Sequence, residues 1–248
     1  MAVSKKPLNL AELRHRLRVL EGLGASLATA RAGAPVARLG LPAIDGALPW
    51  GGLPKGCLHE LTGAPGETAA HGFAAALLGR LTSKPGSLLW CRMKRTGYDN
   101  GVPYGPGLAD FGLAAERIVF VEADRTQDLL WAMEEGLRAT ALAAVYGEGI
   151  SLDLTSSRRL QLAAEASGKA ALVLVKPQKR SSITAATTRW HVTAVPTRDR
   201  GDVPRWHLEL VRCRGGNSNA WTVDWDHAAH RFDLAAPLAD GLLAAAAG

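Results

Sequence analysis

The sequence predicts an α/β protein in which a mostly parallel central sheet is flanked by helices, with antiparallel strands added toward the C-terminus. Two observations lead there. Between residues 57 and 175, short apolar runs alternate with amphipathic stretches at helical spacing, and Ala170–Val175 is apolar throughout, as a strand covered on both faces must be. After Pro177 the period falls to two, the signature of an antiparallel meander with one wet face.

In chain order, Asn9 is placed to cap a helix over 10–23 in which Leu10, Leu13, Leu17 and Leu20 recur at helical spacing with Arg14, Arg16 and Arg18 between them. Gly22 and Gly24 end it, and residues 25–55, rich in Gly, Ala and Pro, read as a connector. There follow a strand at 57–62, a helix at 67–81, strands at 87–91 and 117–122, a helix at 126–139, a strand at 141–146, a helix at 155–166 and the strand at 170–175. The alternating strands are 189–195, 206–212, 221–226 and 231–234, and the Ala-rich residues 235–248 predict a terminal helix. The expected organisation is an N-terminal helix and connector over 1–39 and a core domain over 40–248.

No stretch approaches the ~18 uncharged apolar residues of a membrane span, and Met1–Pro7 runs into no apolar segment of a secretion signal. Cys57, Cys91 and Cys213 are odd in number, far apart and never in a Cys-x-x-Cys, which suits reduced thiols and not a disulfide framework or zinc site. A cytoplasmic protein is expected. The net charge of +6 is localised: residues 176–214 hold nine of the 29 basic side chains and three of the 23 acidic ones, leaving 20 of each elsewhere. Such a field attracts polyanions independently of base sequence.

The strand, turn and helix over 57–81 stand where a nucleotide-binding α/β protein places its phosphate loop. A working loop reads G-x-x-x-x-G-K-[ST]: glycines let backbone amides curl round the phosphates, the lysine reaches them, and the hydroxyl holds magnesium. From Gly63 this chain reads Gly-Ala-Pro-Gly-Glu-Thr-Ala-Ala. Gly63 and Gly66 remain, but Thr68 replaces the second glycine, Ala69 the lysine and Ala70 the hydroxyl, and Glu67 adds a carboxylate where phosphate would sit. The strand 141–146 ends at Gly147 without the magnesium-orienting Asp, Glu148 coming one residue late, and 87–91 runs into Arg92-Met93-Lys94 where a catalytic carboxylate would stand. No nucleotide cofactor, no metal and no catalytic residue is therefore expected. His227 and His230 beside Asp224 and Asp226 lie in a turn without a further ligand, and no nucleophile–base constellation emerges from the spacing.

Several segments carry a family resemblance. Gly51-Gly52-Leu53-Pro54-Lys55-Gly56 followed by Leu58-His59-Glu60-Leu61-Thr62-Gly63 resembles the approach to the phosphate loop in RecA-type recombinases. More specifically, Leu130–Arg138, the long run Leu152–Glu165 and Ala185–Trp190 resemble the ImuA family, RecA-like damage-inducible mutagenesis proteins of bacteria. The resemblance implies a RecA-like core and an accessory role in error-prone translesion synthesis within the SOS response. Its implied partners are an inactive Y-family polymerase relative (ImuB) and, indirectly, an error-prone replicative-type polymerase. RecA itself and single-stranded DNA are further candidate partners. RecA's two DNA-binding loops would fall near 148–157 and 176–187, the second at the start of the basic region.

Candidate DNA contacts are Lys176, Lys179, Arg180, Arg189, Arg205, Arg212 and Arg214. Trp190 and Trp206 stand nearby and read as core residues of a half-buried sheet, the other reading being base stacking. Leu10, Leu13, Leu17 and Leu20 form a candidate interface for a partner or for self-association. His59 and His71 read as structural. Two alternatives to a non-catalytic adaptor are a divergent DNA-dependent ATPase of the RecA type and a SulA-type cell-division inhibitor, whose shorter chain fits the length and basic region less well.

Overall fold

The structure, a computed structural model, describes residues 12–13, 15–16, 35–82, 86–94, 103–176, 183–197 and 203–235. The predicted C-terminal helix lies outside these residues, as do Leu10, Leu17, Leu20, Lys179 and Arg180. The parallel strands are β3 (Leu58–Gly63), β4 (Ser87–Met93), β5 (Ile118–Ala123), β6 (Leu142–Ile150) and β7 (Ala170–Val175). β8 (Thr188–Ala194), β9 (Arg205–Cys213), β10 (Asn219–Asp226) and β11 (Arg231–Leu234) complete one nine-stranded sheet, ordered β11-β10-β9-β8-β3-β7-β6-β4-β5. The predicted α/β class with antiparallel strands toward the C-terminus is what the molecule adopts. One pairing differs from the expected meander: β8 lies parallel to β3 and antiparallel to β9, so it joins the two halves of the sheet.

Helices cover both faces. α2 (Ala69–Leu81) buries Phe73, Leu77 and Leu78 against a cluster that includes Leu61, Trp90, Tyr146, Leu172, Trp190, Trp206 and Trp225. α4 (Thr126–Arg138) and α5 (Leu154–Ser167) cover the opposite face, where Leu89, Cys91, Val145, Ala171 and Val173 meet Leu129, Met133, Leu137 and Leu160. Parity along the strands explains the split: Trp90 and Tyr146 point to α2, whereas Leu89 and Val145 point to α4 and α5. α5 starts where Asp153 accepts a hydrogen bond from the Ser156 amide at 2.7 Å, the N-cap chemistry that the Asp-x-x-Ser spacing permits. Close approach requires Gly136, since a Cβ there would collide with Leu89 and lie 3.2 Å from Val145.

The connector is more structured than its composition predicts. β1 (Val36–Ala37) pairs antiparallel with β2 (Leu53–Pro54), and α1 (Pro42–Asp45) lies between them. Asp45 accepts hydrogen bonds from the amides of Leu39 and Gly40, while Ala37, Leu39 and Ile44 are buried in the α2-side cluster. Ala37, Leu39 and Ile44 thus join this segment to the core. A short α3 (Gly105–Ala109) precedes β5.

Candidate functional site

The C-terminal ends of the parallel strands form the edge where the loop between β3 and α2 stands. β3 ends at Gly63 and α2 begins at Ala69 with Thr68 as its N-cap. Ala69 and Ala70 are 6% and 2% exposed and belong to the α2-side cluster. Glu67 is exposed, and its Oε2 accepts from the Ala194 amide at 3.4 Å, bridging the loop to the end of β8. A Cβ on Gly72 would lie 2.8 Å from Trp206 Cζ2, so the Trp206 ring lies directly against the first turn of α2.

Glu148 belongs to this site although the sequence pattern does not place it there. The pattern predicts that β6 stops at Tyr146, but the strand runs to Ile150, with a register shift between Glu148 and Ile150. Glu148 is 6% exposed and shares a register row with Arg92 on β4, which in turn pairs with Glu122 on β5. The Trp90 indole Nε1 donates to Glu148 Oε2 at 2.8 Å, and His71 Nε2, from α2, stands 3.7 Å from Oε1. Burial opposes ionisation of Glu148, but the polar contacts of His71 and Trp90 and the charge of Arg92 outweigh it, holding the carboxyl below its usual range. Arg92 Nε lies 3.2 Å from Glu122 Oε1.

A pocket of about 590 Å³ opens over this row, with Thr68, His71, Trp90, Tyr104, Glu148 and Trp206 among its lining. The two histidines flanking the loop stand differently, His71 on the lining of the pocket and His59 inside the core. His59 is fully buried. Its Nε2 faces the Pro54 carbonyl at 2.8 Å and must carry the proton, leaving Nδ1 to accept from Thr188 Oγ1 at 2.8 Å. Desolvation lowers its pKa to about 4 against the opposing hydrogen bond to Pro54, so it stays neutral.

The described basic candidates do not gather into one patch. Lys176 is exposed at the C-terminal edge, at the end of β7. Arg189 is 8% exposed and bound to the fully buried Glu60 through Nε at 2.8 Å and a terminal nitrogen at 2.6 Å, with Thr184 donating to the same carboxylate. Its guanidinium presents no face to a phosphate. Arg205 is committed to Asp224 by two bonds, of 2.6 and 2.9 Å. Arg212 and Arg214 are exposed at the opposite edge of the sheet, beside the start of β8, where they donate to the carbonyls of Ala186 and Ala185. Arg205 and Arg212 are seven residues apart on one strand, about 23 Å at ~3.3 Å per residue. Trp190 and Trp206 are core residues, 0% and 4% exposed. Leu13 is 1% exposed and packs in the α4/α5-side cluster, so its side chain is turned into the chain's own core. His227 packs edge-on against Phe111, and among the described residues no three His, Cys, Asp or Glu side chains are grouped to hold a metal. Nor is any described helix long and apolar enough to cross a membrane.

No family model matches the chain. Among curated proteins it is similar to Protein ImuA of Caulobacter vibrioides, from strain NA1000 / CB15N and from strain ATCC 19089 / CIP 103742 / CB 15. With each it shares 35% identity over 235 residues, covering 86% of this chain and 93% of the relative.

Proposed function

The chain belongs to the ImuA family, and from that premise we propose that it is a non-catalytic RecA-like adaptor in DNA-damage-induced error-prone translesion synthesis. It binds an inactive Y-family polymerase-like partner and, through the basic residues that follow β7 from Lys176 onward, single-stranded DNA. One observation carries the non-catalytic part: buried Ala69 and Ala70 stand where the sequence pattern calls for the phosphate-binding lysine and the magnesium-binding hydroxyl, and an ionised Glu148 shares the pocket lining with Ala69. A triphosphate brought here meets the Glu148 carboxylate, while the described arginines beside it, Arg92 and Arg205, are already paired with Glu122 and Asp224. The test is to purify the chain and the polymerase-like partner separately and measure association at moderate salt without ATP. A complex is expected; absence of one between two folded proteins would sink the adaptor reading.

Glu148 favours one competing reading, a divergent DNA-dependent ATPase, because it places a carboxylate near the end of β6 after all. Magnesium held there would have to share Glu148 with the Trp90 N–H and His71. ATP turnover measured with and without single-stranded DNA, alongside an Ala69→Lys control, separates the two. Background rates are expected, and clear turnover by the unaltered protein would establish the ATPase.

A further inference from the structure

The pocket over the degenerate loop carries acid inside aromatic walls, in a chain whose net charge is +6. Its volume, about 590 Å³, lies in the ~300–1,000 Å³ range of small-ligand sites. Trp90, Phe111 and Trp206 line it, and Tyr104, 72% exposed, stands among them as an uncovered ring. Glu148 lies within it, 6% exposed, and Glu67 reaches its rim through the amide of Ala194. Among the described residues, Arg92 stands between Glu148 and Glu122, one cation for two carboxylates, and Arg205 on the lining is bound to Asp224.

We propose that this pocket receives an arginine side chain of a partner protein, its guanidinium stacked against the aromatic wall and directed at the Glu148 carboxylate. A guanidinium is planar, weakly hydrated and permanently charged, so it stacks on aromatic rings and enters a desolvated site at lower cost than an ammonium. Opposite a buried carboxylate its hydrogen bonds are charge-assisted and stronger than neutral ones. Phosphates, whether of a nucleotide or of DNA, are disfavoured because Glu67 and Glu148 repel them. The inference rests on the adaptor reading, since a protein partner supplies the arginine.

The Trp90 indole N–H, which donates to Glu148, is the reporter. In ¹⁵N-labelled full-length protein, N-acetyl-arginine methylamide is expected to shift its resonance saturably, and the uncharged citrulline analogue to bind about tenfold more weakly. Glu148→Gln and, with no buried group disturbed, Tyr104→Ala should each weaken the arginine probe by about tenfold. An unmoved Trp90 signal, equal binding of the citrulline probe, or a stronger response to magnesium-ATP or a thymidine oligonucleotide would overturn the proposal. The two readings fail separately. If unaltered protein captures the purified polymerase-like partner and Tyr104→Ala captures it equally well, the pocket is not the seat and the adaptor reading stands. If unaltered protein captures nothing, the adaptor reading falls.

Discussion

Replacing Arg189 is expected to cost stability and to leave DNA affinity alone. Its guanidinium and the Glu60 carboxylate are joined by two contacts, at 2.8 and 2.6 Å, with side chains 10% and 0% exposed, so solvent screening is slight. Arg189→Ala strands a buried carboxylate, a loss of about 3–5 kcal/mol. At about 2–4 °C per kcal/mol for a chain of this length, the midpoint should fall by roughly 6–20 °C. Thermal and denaturant unfolding followed by circular dichroism read the shift directly. The double variant Glu60→Gln/Arg189→Met removes both charges and should recover most of the loss, because replacing a buried pair by groups of similar volume is often close to neutral. A single variant within about 2 °C of the parent, or a double variant no better than the single, would refute the assignment. So would a folded Arg189→Met protein with weakened affinity for single-stranded DNA.

Three further outcomes follow from the packing and the charge. His59 resists protonation in the folded state, with a pKa near 4 against 6.5 when unfolded, so the unfolded chain takes up the proton first. Stability should be full above about pH 6.5 and decline as pH falls toward 4 by about 3 kcal/mol; His59→Gln should flatten that slope, and an unaltered slope would remove the assignment. Gly136→Ala forces a methyl group into Leu89 and toward Val145 and should destabilise by about 1–3 kcal/mol, read as a shift in the urea midpoint at constant slope. Charge reversal at Lys176, Lys179 and Arg180 should weaken single-stranded DNA binding and flatten its salt dependence, the log–log slope falling by about one for each phosphate left unneutralised. The same reversal at Arg212 and Arg214, at the opposite edge, should leave that slope unchanged.

The sequence was legible where a residue's environment follows from its immediate neighbours. Ala170–Val175 has no polar residue, so it had to lie between covered faces, and the strand occupies the predicted residues. The alternation over 205–213 and the loss of Lys and Ser/Thr from the loop were equally local. What escaped depends on distant partners. Gly147-Glu148-Gly149 has turn composition, and only the pairing of Glu148 with Leu174 on one side and Arg92 on the other keeps it in the strand. Counting charge over 176–214 finds an excess but not its geometry. Glu60, 129 residues from Arg189, neutralises one arginine, and strand β9 carries Arg205 and Arg212 to opposite edges. Residues 25–55 read as a connector because Gly and Pro suggest loops, although the β1–β2 pairing and Asp45 tie the described part, residues 35–55, to the core.

The distribution of indoles biases any optical readout of this protein. Of the seven tryptophans, Trp190, Trp206, Trp221 and Trp225 all sit on β8, β9 and β10, while Trp90 and Trp131 alone stand among β4–β7 and the helices between them. Intrinsic emission therefore reports chiefly on the antiparallel wing. If that wing frays before the parallel half, fluorescence and far-ultraviolet dichroism will trace different midpoints, and the gap between them measures how cooperatively β8 welds the two halves together.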